Sequence, residues 1–182
     1  MDGKPKRSDF WAKLEEDENG EVIAWHPLRA HSADVAACTE AFLERTILGD
    51  RLASLLTWER LESVHISRLS ALAALHDAGK ANLGFQARSA SSKDNWAGHV
   101  SEMISTLGKK PELLEALGVV PMLDWFESEY RQRGIIDMLC ATWAHHGRPV
   151  STKTPTFDER LWNTDGDHDP ADGHGIEHQS RR

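Results

Sequence analysis

Histidine and aspartate carry the chemistry of this chain. His31 stands where a helical pattern begins, and His76 and Asp77 stand together where another ends. His99 opens a third pattern, and His145 with His146 closes a fourth. These six side chains lie in four separate segments, each at an element terminus. Helix ends that meet at one end of a bundle build a site from residues distant in sequence. Imidazole together with carboxylate suits iron, manganese, nickel, cobalt or zinc. No paired cysteines and no HExxH string occur, so neither a zinc finger nor that class of metalloprotease is indicated. A lone histidine is ordinarily a surface or core residue, and His65 is read that way. His168, His174 and His178 belong to a polar tail and are read as solvated. The joint occurrence of His31, His76, His99, His145 and His146 with Asp77 points to one shared metal site. Lys80 follows His76 by one turn and can reach the same end of the bundle; a solvated, dipole-favoured lysine is the competing reading. Arg148, just past the histidine pair, is a candidate phosphate contact.

The elements that must position these residues are almost all helical. The stretch 32–47 places Val35, Cys38, Phe42 and Leu43 near helical spacing, with His31 or Ser32 opening it and Gly49 beyond its end. Residues 51–58 form a short apolar segment. A second helix runs from Glu59 to Asp77 and is stopped by Gly79. Residues 82–96 read as a loop. Further helices are expected over 99–107, 111–117, 121–131 and 134–146, two of them beginning with proline. Ahead of them, residues 1–24 are polar, with an Asn19-Gly20 turn and a short extended piece over 21–25. The expectation is an all-α bundle, with a metal site at converging helix ends; long parallel-strand patterns are absent. The domain is placed at 1–162, followed by a polar tail over 163–182 with Ile176 as its one aliphatic core-type residue.

The chain has 182 residues, with 21 Lys and Arg against 29 Asp and Glu, a formal net charge of −8. That balance argues against gripping duplex DNA by bulk positive charge, but not against holding phosphates through bound metal. No apolar run is long enough for a membrane helix, and the start has no signal-peptide stretch. Cys38 and Cys140 are read as two buried thiols of a cytoplasmic protein. Most of the seven tryptophans are read as packing residues. Trp25 and Trp96, near the candidate ligands, are possible base-stacking platforms.

WHPLRAHS at 25–32, ALHDAGKANLGFQAR at 74–88, GHV at 98–100 and AHHGRP at 144–149 resemble the HD nuclease domain of the CRISPR-associated helicase-nuclease of type I systems. His-Asp-x-Gly-Lys alone marks only the wider HD phosphohydrolase superfamily; GFQ and HHGRP narrow the match, which covers roughly residues 8–150. The resemblance implies an all-α bundle with two divalent transition metals (iron, manganese, nickel or cobalt) that cleaves single-stranded DNA. It also implies a helicase partner and an RNA-guided surveillance complex. Carried onto this chain, His31, His76 and Asp77 hold the first metal. Asp77 bridges to the second, completed by His99, His145 and His146. Lys80 lies near the scissile phosphate, and Phe85 anchors its loop by packing. The chemistry suits these types: a two-metal site acidifies the attacking water and stabilises the charged transition state, and a carboxylate can bridge two cations where a neutral imidazole cannot. The family has a further metal-ligating aspartate on a helix downstream of HHG. No apolar helix pattern follows Trp162 here. Asp158, Asp165, Asp167, Asp169 and Asp172 stand only in loop or tail contexts, which leaves the first metal short of a ligand. A metal-dependent nuclease acting on single-stranded DNA is the preferred expectation, with a separately encoded subunit and a truncated relative both left open. A truncated regulatory relative and an HD phosphohydrolase acting on nucleotides are the alternatives.

Deleting residues 163–182 should leave the thermal melting transition of the rest essentially in place. The segment has too little apolar surface to offset ordering costs of ~1–2 kcal/mol per residue. A large drop in Tm would show that it packs.

Overall fold

The computed structural model describes residues 3, 5, 9–89, 96–147 and 156–162. Arg148 and the 163–182 tail lie outside these residues. Helices dominate, as the periodicity implies, but the chain opens on a hairpin. Strand β1 (Trp11–Glu16) pairs antiparallel with β2 (Val22–Pro27). Gly20 takes a positive φ of 80° at the turn. The Asp17 carboxylate accepts from the backbone of Asn19 and Glu21, both at 2.9 Å. The extended piece at 21–25 is therefore one half of a two-stranded sheet.

Helix α1 (Leu28–Arg45) begins a turn earlier than expected. Pro27, with φ −60° and ψ 138°, is its N-cap, and the proline ring holds that φ without sacrificing a helical N–H. His31 thus sits within the first turn. Gly49 is not a helix stop. It lies inside α2 (Ile47–Leu55), where a Cβ would overlap the carbonyl oxygen of Leu43, so glycine lets α2 fold back closely on α1. Helix α3 (Ser63–Ala74) carries the chain to the His76–Asp77 turn and a 3₁₀ turn over Ala78–Ala81. His65 is structural: its Nδ1 accepts from the Glu62 N–H at 3.2 Å, and its ring lies 4.6 Å from Trp58.

The expected loop at 82–96 contains the short α4 (Leu83–Gln86), capped by the Asn82 side chain. Then come α5 (Val100–Ser105), α6 (Pro111–Ala116), α7 (Val119–Met122) and α8 (Arg131–Trp143). Pro121 falls inside α7 rather than starting a longer helix. Helix α8 starts three residues before Gly134, against which the Phe126 ring packs; a Cβ there would overlap that ring.

The main core gathers Leu72, Met103, Ile104, Val119, Ile135, Leu139, Trp143 and Trp162. A second cluster joins Trp11, Trp25 and Phe85 and ties the hairpin to α4. Trp25 is buried there and is not a stacking platform for a base. Phe85 packs as expected. Neither cysteine is disulfide-bonded; Cys38 is exposed and Cys140 partly buried. Phe42 is also exposed, so the outer face of α1 is less covered than its spacing suggests. Among the described residues, no helix is long and apolar enough to cross a membrane.

Gln86 locks the two ends of this arrangement. Its side chain accepts from the Trp11 N–H at 2.9 Å and donates to Trp11 O at 3.0 Å and Lys80 O at 2.6 Å. The Trp11 indole donates back to Gln86 O at 3.2 Å. Leucine at 86 leaves buried peptide groups unpaired, at roughly 1–3 kcal/mol each. Gln86→Leu should therefore lower unfolding stability by about 2–4 kcal/mol in urea titrations; an unchanged midpoint would contradict the clamp.

Candidate metal centre

The four segments that carry histidine and aspartate meet at one place. Asp77, 2% exposed, is its centre. Oδ2 of Asp77 lies 3.1 Å from His31 Nε2 and 3.2 Å from His76 Nε2. Oδ1 faces the other way, 3.5 Å from His99 Nε2 and 3.4 Å from His145 Nε2. His146 Nε2 stands 3.1 Å from His99 Nε2. The ligand atoms of His31, His76 and Asp77 form one group within 4.8 Å, and those of His99, His145 and His146 another. All six residues read from sequence as metal ligands are thus brought together, with each carboxylate oxygen toward a different imidazole set. The first set is largely buried, whereas His145 and His146 face solvent.

Backbone packing sets this convergence. A Cβ on Gly79 would overlap the carbonyl of His99; only glycine lets the segment before α5 lie that close to the 3₁₀ turn. Asn82 is fully buried and donates to Gly79 O at 2.7 Å and Gly98 O at 2.8 Å, which ties that segment to the Asp77 turn. The Trp143 indole donates to Leu75 O at 3.1 Å, fixing the end of α8, and with it His145 and His146, beside the end of α3. His76 Nδ1 lies 2.9 Å from Ala73 O. A proton on Nδ1 is donated there, the second-shell arrangement that orients a ligating imidazole; a metal would take the place of the Nε2 proton that the free site directs at Asp77.

Charge follows the geometry. Burial is the largest influence on Asp77 and by itself raises its pKa. Hydrogen bonds from His76 and Lys80 outweigh it and hold the carboxyl well below the usual carboxylate range. Burial pushes His99 down to about 4, against the opposing pull of Asp77. Burial likewise lowers His31 and His145. His76 moves the other way, raised by its hydrogen bond to Asp77. Neutral imidazoles are what a metal requires.

The donor set fits divalent transition metal. Among the described residues, the buried Oδ1 of Asp77 has no hydrogen-bond partner, a costly state that a cation relieves. Ligands held at about 2.0–2.2 Å from one ion lie roughly 3.0–3.5 Å from each other, the spacing seen here. His99 and His146 present two ring nitrogens to each other at 3.1 Å, an approach that a shared ion makes favourable.

Lys80 is not solvated. Its ammonium lies 2.7 Å from Asp77 Oδ2 and donates to Ala12 O at 3.0 Å. Sequence reasoning missed the hairpin that supplies this carbonyl, and missed Asn82 and Gln86 as positioning residues. Only their place beside the HDAGK and GFQ strings could have flagged them. Asp158 is paired with Arg160 at 2.8 Å and belongs to neither ligand group. Trp96 is exposed, with the Arg88 guanidinium 5.9 Å from its ring.

A buried aspartate flanked by imidazoles from four segments of a helical bundle defines an HD-type metal domain. A family model described as Cas3, HD domain, matches residues 11–179, and the chain belongs to that family. Membership places the chain among the HD domains of CRISPR-associated proteins. No curated protein matches the chain. A solved structure described as the crystal structure of a CRISPR-associated protein aligns with 88% of this chain at a TM-score of 0.58 and 20% identity. That likeness speaks to the fold, and the chain spans only 19% of that protein's length.

Histidine NMR on chelator-treated protein should find His99 neutral down to about pH 4, with His76 taking up its proton at higher pH than His31, His99 or His145. A His99 that titrates at the ordinary 6.5 would contradict this description.

Proposed function

We propose that this chain is a metal-dependent nuclease that cleaves single-stranded DNA in type I CRISPR interference, in the cytoplasm. In this reading a helicase, as a separate subunit or a further domain, supplies the unwound strand, and the RNA-guided surveillance complex recruits the pair. One observation carries the reading: a buried carboxylate turns each oxygen to a separate imidazole set. His31 and His76 with Oδ2 would hold one divalent ion, and His99, His145 and His146 with Oδ1 the other. Iron, manganese, nickel and cobalt suit these ligands. When bound, such ions acidify water and stabilise the charge that develops at an in-line phosphodiester substitution.

The chain's own residues supply the rest. Asp77 orients both ligand sets and carries the bridging charge. Lys80 places a fixed ammonium beside it, and Arg148 contacts the phosphate backbone. The open side, at His145 and His146, is where a strand enters. A flexible single strand can bring a phosphate to a recessed centre more readily than a stiff duplex. The net charge of −8 gives little general attraction to duplex phosphates, which dominate non-specific affinity.

The test is a gel assay with added manganese, nickel or cobalt, comparing single-stranded circles, duplex circles and free nucleotides. Single-stranded circles should be cut, duplex spared, and chelator should stop the reaction. Asp77→Ala should reduce cutting by at least about a hundredfold while the circular dichroism spectrum persists, because both ion sites lose their shared ligand. Equal cutting of both circles would overturn the substrate claim. Hydrolysis of nucleotides alone would favour a phosphohydrolase. No reaction at full metal occupancy would favour a regulatory relative.

A further inference from the structure

The two halves of the centre are unequal. Among the described residues, three imidazoles stand on the Oδ1 side, His99, His145 and His146, and Oδ1 itself has no hydrogen-bond partner. On the Oδ2 side the described residues supply two imidazoles, His31 and His76, and Oδ2 is already engaged by the Lys80 ammonium at 2.7 Å. That ammonium is held in place. It donates to Ala12 O at 3.0 Å, its side chain is 13% exposed, and it lies 5.5 Å from the Phe85 ring. The backbone beneath it is fixed as well. Lys80 N donates to Asp77 O at 2.8 Å, and Gln86 Nε2 donates to Lys80 O at 2.6 Å. Withdrawing the lysine would strip the Ala12 carbonyl of this donor. A divalent ion between His31, His76 and Oδ2 must therefore share its carboxylate oxygen with a fixed positive charge, in a setting that screens repulsion poorly.

We propose that Lys80 grades the metal centre: one ion binds tightly among Asp77 Oδ1, His99, His145 and His146, and a second binds only weakly among Asp77 Oδ2, His31 and His76. Lys80 acts here as a positioning residue, through Asp77, and the inference rests on the metal-dependent reading above. The grading keeps one ion resident and makes occupancy of the second depend on ambient metal.

Manganese titration of the metal-stripped full chain tests this, with free Mn²⁺ followed by electron paramagnetic resonance. The wild type should show two classes of site, separated by at least about tenfold, the scale of second-shell effects on metal affinity. Lys80→Gln removes the charge but can still donate to the Ala12 carbonyl. It should tighten the weak site by about tenfold and leave the tight one in place. Lys80→Arg keeps the charge and should keep the gap. His99→Ala should remove the tight class, and His31→Ala the weak one. Two equal sites in the wild type overturn the proposal whether or not the variants fold. So does a gap unchanged in a folded Lys80→Gln, or loss of the tight class in a folded His31→Ala. If none of the proteins binds manganese, nickel or cobalt, the metal-dependent reading fails first and takes this proposal with it.

Discussion

A carboxylate that is 2% exposed must have its charge answered by the protein, and around Asp77 the answer comes from every side. Taking such a charge out of water costs several kcal/mol unless it is paired and hydrogen-bonded. Four imidazoles and one ammonium lie within 3.5 Å of its two oxygens. They come from the start of α1, the end of α3, the turn after it, the segment before α5 and the end of α8. No two of these helices need to be long. Each must end at the right place, and the buried charge makes that requirement energetic.

The supports are correspondingly local and polar. Asn82 and Gln86 are both buried, and both satisfy backbone groups of the turn that holds Asp77 and Lys80. Trp143 reaches from α8 to the Leu75 carbonyl, just past the end of α3. The hairpin looks peripheral, yet it provides the Ala12 carbonyl that holds the Lys80 ammonium. Packing of Trp11 against Phe85, ring centroids 4.7 Å apart, keeps that carbonyl in position. The apolar core below, around Met103, Leu139 and Trp143, fixes the helix axes. The polar layer above it then sets side-chain positions to within hydrogen-bond length. A site of this kind tolerates little shift, because metal ligation demands distances within a few tenths of an ångström.

Much of this was legible from residue types. Histidine and aspartate at element ends announce coordination whatever the fold, and strong apolar periodicity disclosed α3 and most of α8. The rest was hidden for physical reasons. Strand β1 reads Trp-Ala-Lys-Leu-Glu-Glu, without a strict alternation of apolar and polar residues, and one of its anchors, Gln86, lies 75 residues away. Nothing local marks it. Gly49 carries the same sequence signal as a helix stop, yet serves a close approach of two helices. Pro27 caps α1 without a side-chain oxygen, so the polar residues at 31 and 32 drew the start too late. Cys38 and Phe42 share a helical stripe with Val35, but periodicity cannot say whether a partner covers it. The setting of Lys80 depends on the hairpin: a solvated helix-end lysine and one held between Asp77, three residues back, and the distant Ala12 carbonyl are indistinguishable in a string.

The central claim is that Asp77 joins two ligand sets around divalent metal. Anomalous diffraction from crystals grown with manganese tests it most directly. The account predicts a strong peak about 2.0–2.2 Å from Asp77 Oδ1 and from the ring nitrogens of His99, His145 and His146, with a second, weaker peak beside Oδ2, His31 and His76. Peaks located away from Asp77, or none at saturating metal, would contradict it.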